Sequence, residues 1–167
     1  MSAPVERDEV LYAELIWVHD HLREGLAAVA ELADRTSRGE DADTLVAEVA
    51  GLARDSALWR LRSHCLYQCR FVHGHHSLED ALVFPAVRRT DPSIDAEVDR
   101  LEADHRVIAD LLHSVEDAAE GLGDGLPGAR DRLAGALERL QVDLRDHLGR
   151  EEALLRPVLR RMGSWAG

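Results

Sequence analysis

The chain has 167 residues, with 32 Asp and Glu against 20 basic residues, all of them arginine, for a formal net charge of −12. The absence of lysine excludes a phosphate-loop lysine, a Schiff-base cofactor and a lysine general base. The negative balance repels phosphate backbones and anionic lipid, so neither nucleic acid nor a membrane is an expected partner. Two cysteines, Cys65 and Cys69, are too few for a disulfide framework. Met1–Val10 is acidic and has no apolar stretch of the signal-peptide kind, so a cytoplasmic setting is expected.

Leucine is abundant, with 25 residues, and β-branched residues are few, which favours helix over sheet. Polar or Gly/Pro-rich segments divide the chain. Asp34–Asp43 reads as a loop, Pro85 and Pro92 bracket a short turn, and Gly121–Gly128 is the clearest break. Between them lie four predicted helices, at about 5–33, 56–84, 93–120 and 128–161, with residues 44–55 a less regular helical lead-in to the second. One all-α domain over 1–167 is expected, an up-down-up-down four-helix bundle.

The first helix repeats Leu15, His19, Leu22, Leu26, Val29 and Ala33 at alternating spacings of four and three. The second repeats Leu61, Cys65, Gln68, Val72, His75, Glu79 and Leu82; the third Val98, Leu101, His105, Ile108, Leu112 and Val115. The fourth repeats Leu133, Leu137, Leu140, Leu144, His147, Glu151, Leu154 and Val158. Such stripes pack inward in a bundle. Each is interrupted once, always by a histidine, and on the second and fourth helices a glutamate follows four residues later. Burying these groups among leucines without a partner is costly. At ~1.5 Å rise per residue the four histidines reach a similar depth near one end of the bundle, where a shared metal centre would satisfy all six side chains.

A repeat reinforces this. HHSLEDALVFPAVRR, beginning at His75, and HLGREEALLRPVLRR, beginning at His147, align without gaps at an offset of 72. Each half of the chain therefore supplies a histidine, then H-x-x-x-E, then a proline (Pro85 or Pro157), which suits two metals bridged by two carboxylates.

These residues resemble the hemerythrin-like, histidine–histidine–glutamate cation-binding family, over about Glu9–Arg161. The resemblance implies a four-helix bundle holding a non-heme di-iron centre, its two iron ions bridged by carboxylates and by an oxo or hydroxo group. His19, His75, His105 and His147 would be terminal ligands, and Glu79 and Glu151 the bridges. Imidazole with carboxylate also suits iron or manganese better than a thiolate-rich structural zinc site. In one respect the chain departs from the oxygen carriers of the family: Ala109 stands where they have a second third-helix histidine. An emptier coordination sphere is then expected, unless His73 or His76 supplies the nitrogen.

The remaining candidates carry simpler readings. His21 lies about 200° round the helix from His19 and reads as peripheral. His73 and His76 read first as supports behind the ligands; Asp80 and Glu152 read as supports or surface acids, with a place among the ligands as the alternative. His64 and His113 read as solvent-facing, Cys65 and Cys69 as small core residues, and Tyr12 as core packing. The leading functional expectation is reaction with O2, hydrogen peroxide or nitric oxide, by sensing, scavenging or peroxidase- or catalase-like turnover. Ala109, in place of the carriers' histidine, favours oxidation over reversible O2 carriage. The alternatives are reversible O2 or iron binding and storage without turnover, and a di-iron oxidase or oxygenase acting on a small organic substrate.

Overall fold

The computed structural model describes residues 9–38 and 47–162, with the side chains of 47–57 and of 123 left aside. Helix α1 spans Val10–Arg38, α2 Ala47–Leu78, α4 Asp95–Gly123 and α5 Ala129–Leu159. A π-helical turn, Glu79–Val83, joins α2 to the short helix α3, Phe84–Thr90, and a 3-10 turn at Pro92–Ile94 leads into α4. The long helices pack in the cyclic order α1, α2, α4, α5, each touching its two neighbours. This is the expected all-α up-down-up-down bundle, and there is no strand among the described residues.

The stripes form the core, in two apolar clusters. The larger contains Leu22, Leu26, Leu61, Val72, Ile108, Leu112, Leu140, Leu144 and Leu148. The smaller contains Leu11, Leu15, Val83, Phe84, Val98, Leu101, Leu155 and Leu159. Sequence order along α1, α4 and α5 places the buried histidines and glutamates between them, His19 between Leu15 and Leu22, and His147 and Glu151 between Leu144 and Leu155. Apolar packing on both sides shuts the polar layer off from water and makes the charge of each of its members expensive.

Several boundaries differ from expectation. Helix α1 continues through the polar Asp34–Arg38, where Thr36 is buried and its hydroxyl donates to the Leu32 carbonyl at 2.7 Å. The expected helical lead-in runs without a break into the second helix, α2 being continuous from Ala47; residues 39–46 lie outside the described residues. Pro85 lies in the first turn of α3 and not in a loop turn, a position where proline is tolerated.

The π turn alters the register. Its wider ring is closed by the Phe84 N–H donating to the Glu79 carbonyl, which inserts one extra residue. Val83 then faces the core, and Leu82, expected inside, is 60% exposed. In α5 the next buried position after Glu151 is Leu155, with the expected Leu154 only partly covered.

Candidate metal centre

Seven side chains meet between the two apolar clusters. They fall into two groups whose donor atoms lie within 4.8 Å of one another: His19, His75, Glu79 and Glu151 in the first, and His76, His105 and His147 in the second. Both glutamates face both groups. Glu79 Oε1 is 3.0 Å from His75 Nε2 and 3.8 Å from His19 Nε2, while its Oε2 is 3.5 Å from His105 Nε2. Glu151 Oε2 is 3.6 Å from His19 Nε2 and 3.5 Å from His147 Nε2. One carboxylate comes from each H-x-x-x-E box, so the repeat is expressed as two acids spanning two sets of imidazoles.

The donor chemistry fits a pair of cations. Both oxygens of Glu79 and of Glu151, and Nε2 of His19, His75 and His76, are buried without a hydrogen-bond partner. So many orphaned polar atoms in one place are costly unless a cation takes their lone pairs. His105 Nε2 and His147 Nε2 are 3.1 Å apart, within hydrogen-bonding distance of each other and close enough for both to donate to one ion.

Burial drives the proton affinities of the metal-free site. It lowers His19 and His75 to about 3, and His105 and His147 to about 4, so the rings are neutral and their lone pairs free at pH 7. His76 moves in the same direction. The acids move the other way: burial, reinforced by the neighbouring Glu151, raises Glu79, and burial pushes Glu151 up to about 7. Two cations would reverse that penalty for both acids.

The outer nitrogens of three rings are held by carboxylates. His19 Nδ1 and Glu152 Oε1 are 2.8 Å apart, and the Arg23 guanidinium donates to the same oxygen at 2.6 Å. His105 Nδ1 and Asp80 Oδ1 are likewise 2.8 Å apart. The acid after Glu79 and the acid after Glu151 thus each hold a ring on another helix, turning its Nε2 inward. Asp104, at 3.5 Å from His147 Nδ1 and tied to Arg150 at 2.8 Å, plays a looser version of the same part. It went unnoticed in the sequence, where an acid beside a histidine on an exposed face carries no distinguishing signal. Glu152→Gln and Asp80→Asn should each weaken metal binding by roughly 10–100-fold without unfolding the bundle. Competition with a chelator measures this, and unchanged affinity in both variants would show that these acids do not support the site.

The match to known families agrees with this geometry. The profile described as hemerythrin HHE cation binding domain matches residues 10–159. The chain belongs to the hemerythrin HHE cation-binding family. No curated protein and no solved structure gives a significant match. The two groups described above could supply donors for the cations that give this family its name.

In this hemerythrin-like chain His76, read first as a support with ligation as the alternative, lies where it could donate to a metal. It is 5% exposed and stacks on His105 with ring centroids 3.9 Å apart, inside the second donor group and not behind it. Ala109 offers no nitrogen, and His76 brings a third imidazole to this group from α2. Ligation by His76 would fill the coordination position that Ala109 leaves without a nitrogen. His73 does not join the centre and lies with His113 and Glu116.

His21 is exposed, stacked on Trp17 and edge-on to Phe71, well apart from both donor groups. His19→Ala should therefore release much of the bound metal while His21→Ala retains it, as elemental analysis of the two purified variants would show. The reverse pattern would mean that α1 is rotated. Cys65 and Cys69 are buried free thiols, each pushed up to about 12 by burial, so they are inert core residues at neutral pH. Tyr12 packs at the smaller cluster beneath the Arg156 guanidinium.

Proposed function

We propose that the chain is a non-heme di-iron protein that binds O2, or a close relative such as nitric oxide or peroxide, at the ion with fewer protein ligands. The observation that carries this reading is an asymmetry. The first group offers two imidazoles and the second three, with both carboxylates shared. The ion held by His19 and His75 is then the one with room for an outside ligand.

A pocket of about 290 Å³ reaches that side of the centre. It is lined by Glu14, Leu15, Val18, His75, Leu78, Glu79, Leu82 and Val83. Apart from Glu14 and the two donor residues its walls are aliphatic, which favours a small neutral guest over an anion or a bulky polar substrate. When bound, two ferrous ions would supply the electrons that such a guest accepts. The chain's own part is to hold the imidazoles in their inward tautomer through Glu152 and Asp80, to neutralise the cations with Glu79 and Glu151, and to exclude bulk water with the apolar clusters.

Five imidazoles and two carboxylates leave little open coordination, which favours binding over irreversible oxidation and so reverses the preference drawn from Ala109. Mixing the di-ferrous protein with O2 and then purging with argon tests the reading. The expected result is recovery of the reduced spectrum without added reductant. Permanent oxidation in a single exposure would overturn it in favour of oxidative turnover. No helix among the described residues is long and apolar enough to cross a membrane. Residence in the cytoplasm belongs to the same proposal, as does the absence of any nucleic-acid or membrane partner.

A further inference from the structure

We infer that the chain carries another metal site, solvent-facing and separate from the buried pair, formed by His73 of α2 with His113 and Glu116 of α4. Their donor atoms all lie within 4.8 Å of one another. His73 Nε2 is 3.7 Å from Glu116 Oε1, and the rings of His73 and His113 are 5.3 Å apart and tilted by 43°.

The geometry is close to what a small cation requires. Bonds of about 2.0–2.2 Å to nitrogen and oxygen in a tetrahedral site leave neighbouring donors about 3.4 Å apart. His73 and Glu116 need to close by only a few tenths of an ångström. His113 is exposed and free to turn toward them. His113 and Glu116 are i, i+3 on α4 and so project from one face toward His73 on the adjoining helix. The floor beneath them is closed: one turn before His73, the Cys69 thiol is buried and reaches the Leu112 carbonyl at 3.8 Å.

The donor set defines the ligand. Two imidazoles and one carboxylate select a divalent transition metal, Zn2+, Ni2+ or Cu2+, over Mg2+ or Ca2+, which prefer all-oxygen sites. Cys69 stays protonated and supplies no thiolate, so a cuprous ion is not favoured. One carboxylate leaves a bound divalent ion a net positive charge, and side chains that are one-quarter to one-third exposed leave coordination positions to water. Such a site exchanges its ion with solvent more readily than the buried centre that begins two residues further along α2. The chain's net charge of −12 raises the local concentration of cations around it.

The test is zinc titration of the full-length protein with its buried metals in place, against a chelator strong enough to mask isolated surface histidines. Iron content is followed in parallel. Wild type is expected to take up one further Zn2+ with no loss of iron. His113→Ala and Glu116→Gln should each weaken that uptake by more than the ~10–100-fold that loss of a mere hydrogen-bonding partner costs, with iron content unchanged. Absence of the additional zinc, zinc uptake matched by iron release, or wild-type affinity in both variants would each overturn the inference.

Discussion

Glu151→Ala, and separately Glu79→Ala, should release both ions of the buried centre, not one. Each carboxylate faces imidazoles of both donor groups, so removing either leaves two cations a few ångströms apart with half of their neutralising charge gone. Elemental analysis should fall from two metals per chain toward none. The midpoint of thermal unfolding should also stop responding to added metal, a response worth ~2.7 kcal/mol per site in wild type when free metal exceeds Kd about 100-fold. Glu151→Gln separates this from simple damage to the fold. Burial raises the folded-state pKa of Glu151 to about 7 from the ordinary 4.5. The neutral acid's advantage is therefore complete below pH 4.5 and is lost as pH rises through 7. Above that, metal-free wild type buries an ionised carboxylate. Metal-free Glu151→Gln should melt no lower than metal-free wild type at pH 8 while failing to load. A variant that keeps both metals and an unchanged spectrum would show that its residue is no bridge.

His76→Ala has the second-largest expected effect. His76 is one of three imidazoles in the second group, and its loss leaves His105 and His147 to hold that ion with the shared carboxylates. Metal content should fall to about one per chain, and whatever di-iron spectrum remains should be bleached by O2 without recovery. His73→Ala, three residues away, should leave the buried pair intact. Equal metal content in the His76 variant and wild type would place His76 outside the coordination sphere.

Much of this centre was legible in the sequence because an inward stripe of leucines makes a polar interruption conspicuous. His19, Glu79, His105, His147 and Glu151 all stand on such stripes, and all are buried. His76 was harder to place. Adjacent helical residues point about 100° apart, and His75 alone keeps step with Glu79 as H-x-x-x-E. Yet Cys69, Val72, His76, Glu79 and Val83 also alternate by three and four, so a second stripe was present in the same helix. The bundle interior takes in both. What periodicity could not supply was the π turn after Leu78. Its extra residue breaks the count and sends Leu82 outward. The supporting acids Asp80 and Glu152 could be named but not assigned, since their partners His105 and His19 lie on other helices.

The proposed centre holds two iron ions between five histidines and two glutamates. Metal analysis of protein produced with ample iron tests it most directly. Close to two irons per chain is the predicted result; a single tightly held zinc, or no stoichiometric metal, would contradict it.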